Sequence, residues 1–297
     1  MSPATIRLLF IINPGAGNND TDWEEAIRAF FSSRKEYEIQ LYPFPDPCDP
    51  EQICKVIREA KADRVIAVGG DGTLKLVAEC VHGTETPVGI LPAGSANGMA
   101  TELGIPADPE QALHTLIEGE VKPIHLTKVN GELCIHLADI GFNAFVIKKF
   151  DEEKKRGQWG YVKAAWKVLW QTKYMEIKLT TDKEEVVRRA AMVVIANATQ
   201  YGNGVMINPE GSLYDERFEV VVIRKISVTE IFKMRFIHKN FNPAKTEFFQ
   251  AKAIEIRSRH KAHFQVDGEY RGKTNTVEAV IQPHALKMIV PRVNGQS

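Results

Sequence analysis

A short apolar run, Val65 to Val68, passes straight into Gly69-Gly70-Asp71-Gly72-Thr73 and then into Leu74, Val77, Ala78 and Val81 at helical spacing. Few architectures accommodate that passage. An uninterrupted apolar run is a strand covered on both faces, as in a parallel sheet. Glycines at its end let a backbone approach phosphate closely and free amides to point at it. The helix that follows adds partial positive charge at its N-terminus. Asp71 supplies a carboxylate for Mg²⁺ or for a proton, and Thr73 can cap the helix or touch phosphate.

The same passage recurs on two neighbouring strands. Ile6 to Ile12 stops at Asn13-Pro14, followed by Ala16-Gly17. Val88 to Leu91 stops at Pro92-Ala93-Gly94-Ser95-Ala96-Asn97, with a helix expected from about Ser95. Ser95 can donate to phosphate or cap that helix. Between these strands lie a helical stripe from Trp23 to Phe31, a short strand from Glu38 to Tyr42, and a second stripe at Ile53, Val56, Ile57 and Ala60. This β-α-β-α order predicts an α/β doubly wound parallel-sheet nucleotide domain. Ligands of such sheets bind at the carboxyl ends of the strands, where the three glycine-bearing loops fall.

Near residue 124 the pattern changes. Lys128 to Leu133 reads as a hairpin around Asn130-Gly131, the dipeptide suited to a type I′ turn. Strands follow at Glu176–Thr181, Val186–Ala196, Phe218–Ile223, Ile254–Arg257, His263–Asp267 and Thr276–Ile281, with helices over Trp159–Lys173 and Val228–Lys239. These predict a mainly antiparallel β domain over residues 125–283, after a first domain over 1–124. Asp267-Gly268-Glu269 is an Asp-Gly turn that can present Glu269 rigidly to a hydroxyl as a general base, or leave it as a solvated glutamate. Gly268 to Thr274 imitates a phosphate-binding P-loop, but it is one residue short and lies in a hairpin.

Charge excludes one class of partner. Thirty-eight basic and 38 acidic residues give a formal net charge of +0 over 297 residues, so no global field attracts nucleic acid. The four cysteines show no metal-ligand spacing and are expected as reduced thiols of a cytoplasmic protein. No apolar run approaches the roughly 18 residues that span a bilayer, and Leu8 to Ile12 is expected as a strand, not a signal peptide. Tyr161, Val162, Ala165, Trp166, Leu169 and Trp170 share one helical face amid lysines, which suits either a membrane interface or packing on the sandwich.

Taken together, Asn13-Pro14-x-Ala16-Gly17, the 69–73 loop, Leu91-Pro92-Ala93-Gly94-Ser95-x-Asn97 and Asp267-Gly268-Glu269 resemble the diacylglycerol kinase catalytic domain family, which includes sphingosine and ceramide kinases. The resemblance covers nearly the whole chain, and it implies that the second domain is a β-sandwich holding the lipid and that a C-terminal strand within 284–297, about Leu286 to Val290, returns to the first domain. It implies an ATP- and Mg²⁺-dependent lipid kinase acting on a lipid hydroxyl, diacylglycerol or a related lipid first. ATP would be lined by Asn13, Gly69, Gly70, Gly72, Thr73, Gly94, Ser95 and Asn97. Asp71 and Glu269 would be catalytic, with Asp71 holding Mg²⁺ directly or through water. Asp215 would remain from a structural metal segment, here Tyr214 to Glu219. Gly98 and His125 stand where bacterial members carry Asp, and Phe145 stands near the sphingosine kinases' acidic lipid-amine residue. The implied partner is a lipid at the inner membrane face, bound peripherally and transiently, with no nucleic acid; a homodimer stays open. The alternatives are an NAD kinase-like or sugar kinase, whose loops share the glycine-Asp-glycine pattern, and a non-catalytic nucleotide- or lipid-binding protein.

Overall fold

The computed structural model describes residues 5–17, 21–142, 144, 174–201, 205–206, 208, 211–225 and 245–292. The expected helices over 159–173 and 228–239, with their Trp/Lys face, and Phe145 lie outside these residues. The chain forms two compact units, residues 1–124 with 284–297, and residues 125–283.

Unit 1 begins β1 (Ile6–Ile12), α1 (Trp23–Phe31), β2 (Tyr37–Pro43), α2 (Pro50–Ala60), β3 (Arg64–Gly69), α3 (Asp71–Val81), β4 (Val88–Pro92), α4 (Gly98–Glu102) and α5 (Pro109–Glu118). Its strands are parallel in the order β2-β1-β3-β4. β1 and β3 are buried almost throughout, as their apolar runs require. Because β2 and β3 flank β1 on opposite sides, right-handed crossovers send α1 to one face and α2 and α3 to the other. In agreement, α1 packs on α5 and α2 on α3. From β1 the chain adds β2 on one side and then crosses back to add β3 on the other, which makes the carboxyl ends of β1 and β3 the switch point of the sheet.

Sequence reading missed α5, although Asp108 caps it through the Gln111 amide at 2.9 Å and Pro109 opens it. It also placed α4 too early. Asn97, in the left-handed region at φ 49°, precedes the first helical residue, so Ser95 is not the cap. The expectation of four free thiols is corrected as well. Cys54 in α2 and Cys80 in α3 form a disulfide with Cα atoms 4.9 Å apart, while Cys48 and Cys134 stay as thiols outside any disulfide.

β5 (Glu120–Val129) leads into unit 2, which contains β6 (Glu132–Cys134), β7 (Leu137–Gly141), β8 (Met175–Thr181), β9 (Glu185–Ala190), β10 (Met192–Ala196), β11 (Gln200–Tyr201), β12 (Val205–Met206), β13 (Phe218–Ile223), β14 (Thr246–Ala251) and β15 (Ala253–Val266). β16 (Glu269–Val290) begins in unit 2 and ends in unit 1, where Met288 pairs in parallel with Val88 of β4. Within unit 2 the pairings are antiparallel: β14 with β13, β13 with β10, β10 with β7, β7 with β15, and β15 with both β8 and β16. Val193 and Ile195 of β10 enter one apolar cluster with Phe218 and Val220; Met192, Val194 and Ala196 enter a second with Val221 and Ile223. Alternate residues thus serve opposite faces, which explains why β10 and β13 read as unbroken apolar runs. The stretch read as one strand, Val186–Ala196, is two, joined at Ala191 where half-buried alternation gives way to full burial. The hairpin at Asn130-Gly131 has φ of 47° and 86°, the pair of positive values a type I′ turn needs.

Candidate functional site

In unit 1 the three loops converge. Asn13, directly after β1, donates from Nδ2 to Thr73 Oγ1 at 3.2 Å and accepts from the Gly15 amide on Oδ1 at 3.0 Å. Its own amide donates to Val68 O at 3.0 Å, so the ends of β1 and β3 are fastened together. The third loop is drawn in by close approach. A Cβ on Gly94 would lie 2.4 Å from the Gly70 Cα, and one on Gly17 would lie 2.3 Å from the Ala93 carbonyl oxygen. Only glycine fits either place. Gly72 differs: among the described residues nothing lies within 4 Å of where its Cβ would stand. Packing therefore does not account for glycine there, whereas a ligand approaching the backbone does. Gly70 caps α3 with no side-chain hydrogen bond. The Thr73 amide already donates to Gly70 O at 3.0 Å, so the amides of Asp71 and Gly72 are what the start of this 11-residue helix offers an incoming anion.

Two expected site residues turn out to be occupied by the protein itself. Asn97 accepts from the Gly94 amide at 2.9 Å and donates to the Gly94 carbonyl at 2.7 Å, stapling its own loop. Asp71 accepts from the Gly98 amide on Oδ2 at 2.9 Å and from the Met99 amide on Oδ1 at 3.0 Å. The carboxylate thus caps α4 from a separate helix and locks the 69–73 loop to the 92–97 loop. Gly98 is the residue whose amide it takes. Each oxygen keeps a further acceptor position. Asp71 therefore fits a divalent cation through a water better than as a direct ligand. Ser95 is exposed at the loop tip.

Unit 2 builds its turn just as firmly. Asp267 and Gly268 have φ of 49° and 83° and join β15 to β16. The Asp267 carboxylate accepts from the amides of Ile135, His136 and Leu137 at 3.2, 2.9 and 3.3 Å. Gln265, fully buried, accepts from the Gly268 amide at 2.7 Å and donates to the buried Asp139 carboxylate. Glu269 stands on this platform with its side chain 55% exposed and bonded to Arg271. Sequence reasoning missed Arg271, Gln265 and the anchoring role of Asp267, because nothing in the sequence says which amides a turn carboxylate will find.

The segment Tyr214 to Glu219 also lies in unit 2. Among the described residues, Asp215 Oδ1 is buried without a hydrogen-bond donor, and so is Asn208 Oδ1. Burial pushes the nearby Glu219 carboxyl above its usual range; donors from Asn208 and Gln250 pull it back, and the charge of Asp215 raises it again. Undonated buried oxygens beside a disfavoured carboxylate are the donor set of a hard cation. Asp215 and Glu219 thus fit a structural metal, though among the described residues no group of three His, Cys, Asp or Glu forms a metal cluster. His125 is buried, its amide donating to Leu213 O at 2.8 Å and its carbonyl accepting from Asn197 at 2.6 Å.

Residues 7–129 match the diacylglycerol kinase catalytic domain, and residues 137–290 match the YegS C-terminal NAD kinase beta sandwich-like domain. The chain belongs to the diacylglycerol kinase catalytic domain family. It is a lipid kinase, a phosphotransferase with an alcohol acceptor. Among its relatives, the diacylglycerol kinase of Bacillus subtilis is 26% identical over 80% of this chain and 80% of its own. An uncharacterised protein of Synechocystis is 29% identical over 98% of this chain and 73% of its own. A crystal structure of a Bacillus anthracis diacylglycerol kinase superposes with a TM-score of 0.69 over 96% of each chain, at 19% identity, and shows the same two-domain fold. As a kinase of this family the protein uses ATP. No helix among the described residues is long and apolar enough to cross a membrane.

Proposed function

We propose that this lipid kinase transfers the γ-phosphoryl group of ATP, with Mg²⁺, to the hydroxyl of diacylglycerol or a closely related neutral glycerolipid, working transiently at a membrane surface. The observation that carries the reading is the fastening of three strand-end loops around an α3 N-terminus that no side chain caps. That arrangement suits a triphosphate: amides of the first α3 turn and the backbone at Gly72 meet phosphate oxygens, and Asn13 and Thr73 hold the edge of the cradle. Bound Mg²⁺ would neutralise charge on the phosphates, with Asp71 its water-mediated partner. Glu269 accepts the proton of the lipid hydroxyl as that oxygen bonds to the γ-phosphorus; the bond to the β,γ-bridging oxygen breaks and ADP leaves with its electron pair. The sandwich unit would take the lipid chain, and Asp215 with Glu219 would hold a second, structural cation.

The test is transfer of labelled γ-phosphate from ATP-Mg²⁺ to a lipid panel in mixed micelles: diacylglycerol, monoacylglycerol, sphingosine and ceramide, with Glu269→Gln beside the wild type. Labelled phosphatidic acid, lost in the variant, supports the proposal. Label on sphingosine or ceramide alone overturns the substrate, and equal label in the variant overturns the base.

A further inference from the structure

A general base has to sit within hydrogen-bond reach of one particular proton. The platform under Glu269 fixes its backbone through Asp267 and Gln265, but it does not fix the carboxylate. An exposed glutamate otherwise keeps much of its rotamer freedom. Only a contact at its far end can select the rotamer. That contact is Arg271 Nη2, 2.5 Å from Glu269 Oε2. Glu269 and Arg271 are two apart in β16, so they project from the same face.

Arg271 is itself held. Its Nε donates to Glu132 Oε2 at 2.8 Å and its Nη2 to Glu132 Oε1 at 2.6 Å, a two-pronged clamp. Glu132 opens β6, and the residues just after β6 are those whose amides the Asp267 carboxylate takes. Base, guanidinium and anchor thus stand on one fastened frame. Glu132 first, and Glu269 second, make the guanidinium hold its proton more tightly than usual, so its charge is permanent in this place.

We propose that Arg271 is the positioning residue of Glu269, clamped by Glu132, and that this three-residue relay selects the carboxylate rotamer used in phosphoryl transfer. The inference rests on Glu269 acting as the base. With Oε2 engaged by Arg271, the lipid hydroxyl proton passes to Oε1 while the oxygen bonds to the γ-phosphorus; Arg271 gains and loses no atom. The pair adds little to folding, because ion pairs with one partner 55% exposed are screened and weak. Its removal is therefore felt in the chemistry.

The test compares Arg271→Met, Arg271→Lys, Glu132→Gln and Glu269→Gln in the full chain by steady-state kinetics, thermal melting and ¹³C NMR of labelled glutamate side chains. A misplacement of about 1 Å costs on the order of 100-fold, so Arg271→Met should lose about 10- to 100-fold in kcat with the KM for ATP unchanged. Arg271→Lys and added guanidinium should each recover part of it, and Glu132→Gln should fall between. The Glu269 carboxyl resonance, identified by its loss in Glu269→Gln, should move in both Arg271→Met and Glu132→Gln. If Glu269→Gln abolishes transfer while Arg271→Met keeps kcat within twofold, the relay is overturned. If Glu269→Gln keeps full activity, the base assignment fails instead. A Glu269 resonance unmoved in both variants overturns the relay without any turnover. Should Arg271→Met fail to fold, Glu132→Gln, which removes a charge and keeps the size, is read by the same criteria.

Discussion

Replacing Asp71 by alanine should damage the fold as well as the chemistry, and the structure sets the scale. The carboxylate accepts two amide bonds, from Gly98 at 2.9 Å and Met99 at 3.0 Å. Bonds to a charged group are worth about 1.5–3 kcal/mol each when buried, and loss of a helix cap about 0.5–2 kcal/mol. Asp71 is half-buried and water can reach the freed amides, so about 1–3 kcal/mol is the expected loss. For a chain of this size each kcal/mol is about 2–4 °C of melting temperature. Calorimetry of wild type, Asp71→Asn and Asp71→Ala, without nucleotide or metal, should therefore give a drop of several degrees for alanine. Asparagine should be intermediate, since one amide oxygen can still accept. An Asp71→Ala protein that melts with the wild type yet transfers no phosphate would refute the capping argument and leave Asp71 a purely chemical role. The prediction also bears on practice: lost activity in Asp71→Ala does not by itself show a metal ligand.

Glu247 accepts from Arg188 and Arg224, which hold its carboxyl down to about 2. Its folded value lies below the unfolded one, so the contribution is whole above about pH 4.5 and is lost as pH falls toward 2. Allowing for part-exposed partners, Arg188→Met should cost about 1–2 kcal/mol in urea melts at pH 7 and much less at pH 2.5. Glu219 runs the other way. Its carboxyl is raised by burial, so ionisation costs stability as pH rises above the unfolded value. Glu219→Gln should therefore raise the melting temperature at pH 7 in EDTA, and Mg²⁺ should stabilise the wild type more than the variant; equal Mg²⁺ responses would count against a cation there. Thiol titration of the unfolded, unreduced protein should find two thiols, Cys48 and Cys134, and four after reduction.

What the sequence made legible follows from physics that is local. β1, β3 and β4 could be read because an apolar run ending at glycine or proline has few alternatives, and the antiparallel unit could be read from its turns. β15 was read as two strands because Ser258 to Lys261 is polar, yet the strand runs through that stretch with its register to β16 shifted between Arg257 and Ala262. β16 was read in fragments because Pro283 and His284, the latter at φ 50°, look like a break; they are a bend inside a 22-residue strand as it leaves unit 2. At the site, residue type was legible and residue partnership was not. Asp71 reads as chemistry, but two amides that lie 27 and 28 residues on claim its oxygens. Glu269 reads as a base, yet the group that aims it belongs to a side chain two residues later and an anchor 139 residues away from that side chain.

The substitution at residue 98 links these points. An Asp at that position would bring a second carboxylate beside Asp71, and two like charges so close disfavour one another unless a cation lies between them. Gly98 removes that demand, and its backbone amide donates to Asp71. The 69–73 and 92–97 loops are held together by the chain's own hydrogen bonds to Asp71. Gly98→Asp should then make the fold more dependent on Mg²⁺: its melting temperature should fall below that of the wild type in EDTA and recover on adding the ion. A variant indifferent to Mg²⁺ would mean that the amide cap, not charge balance, governs this loop whichever residue stands at 98.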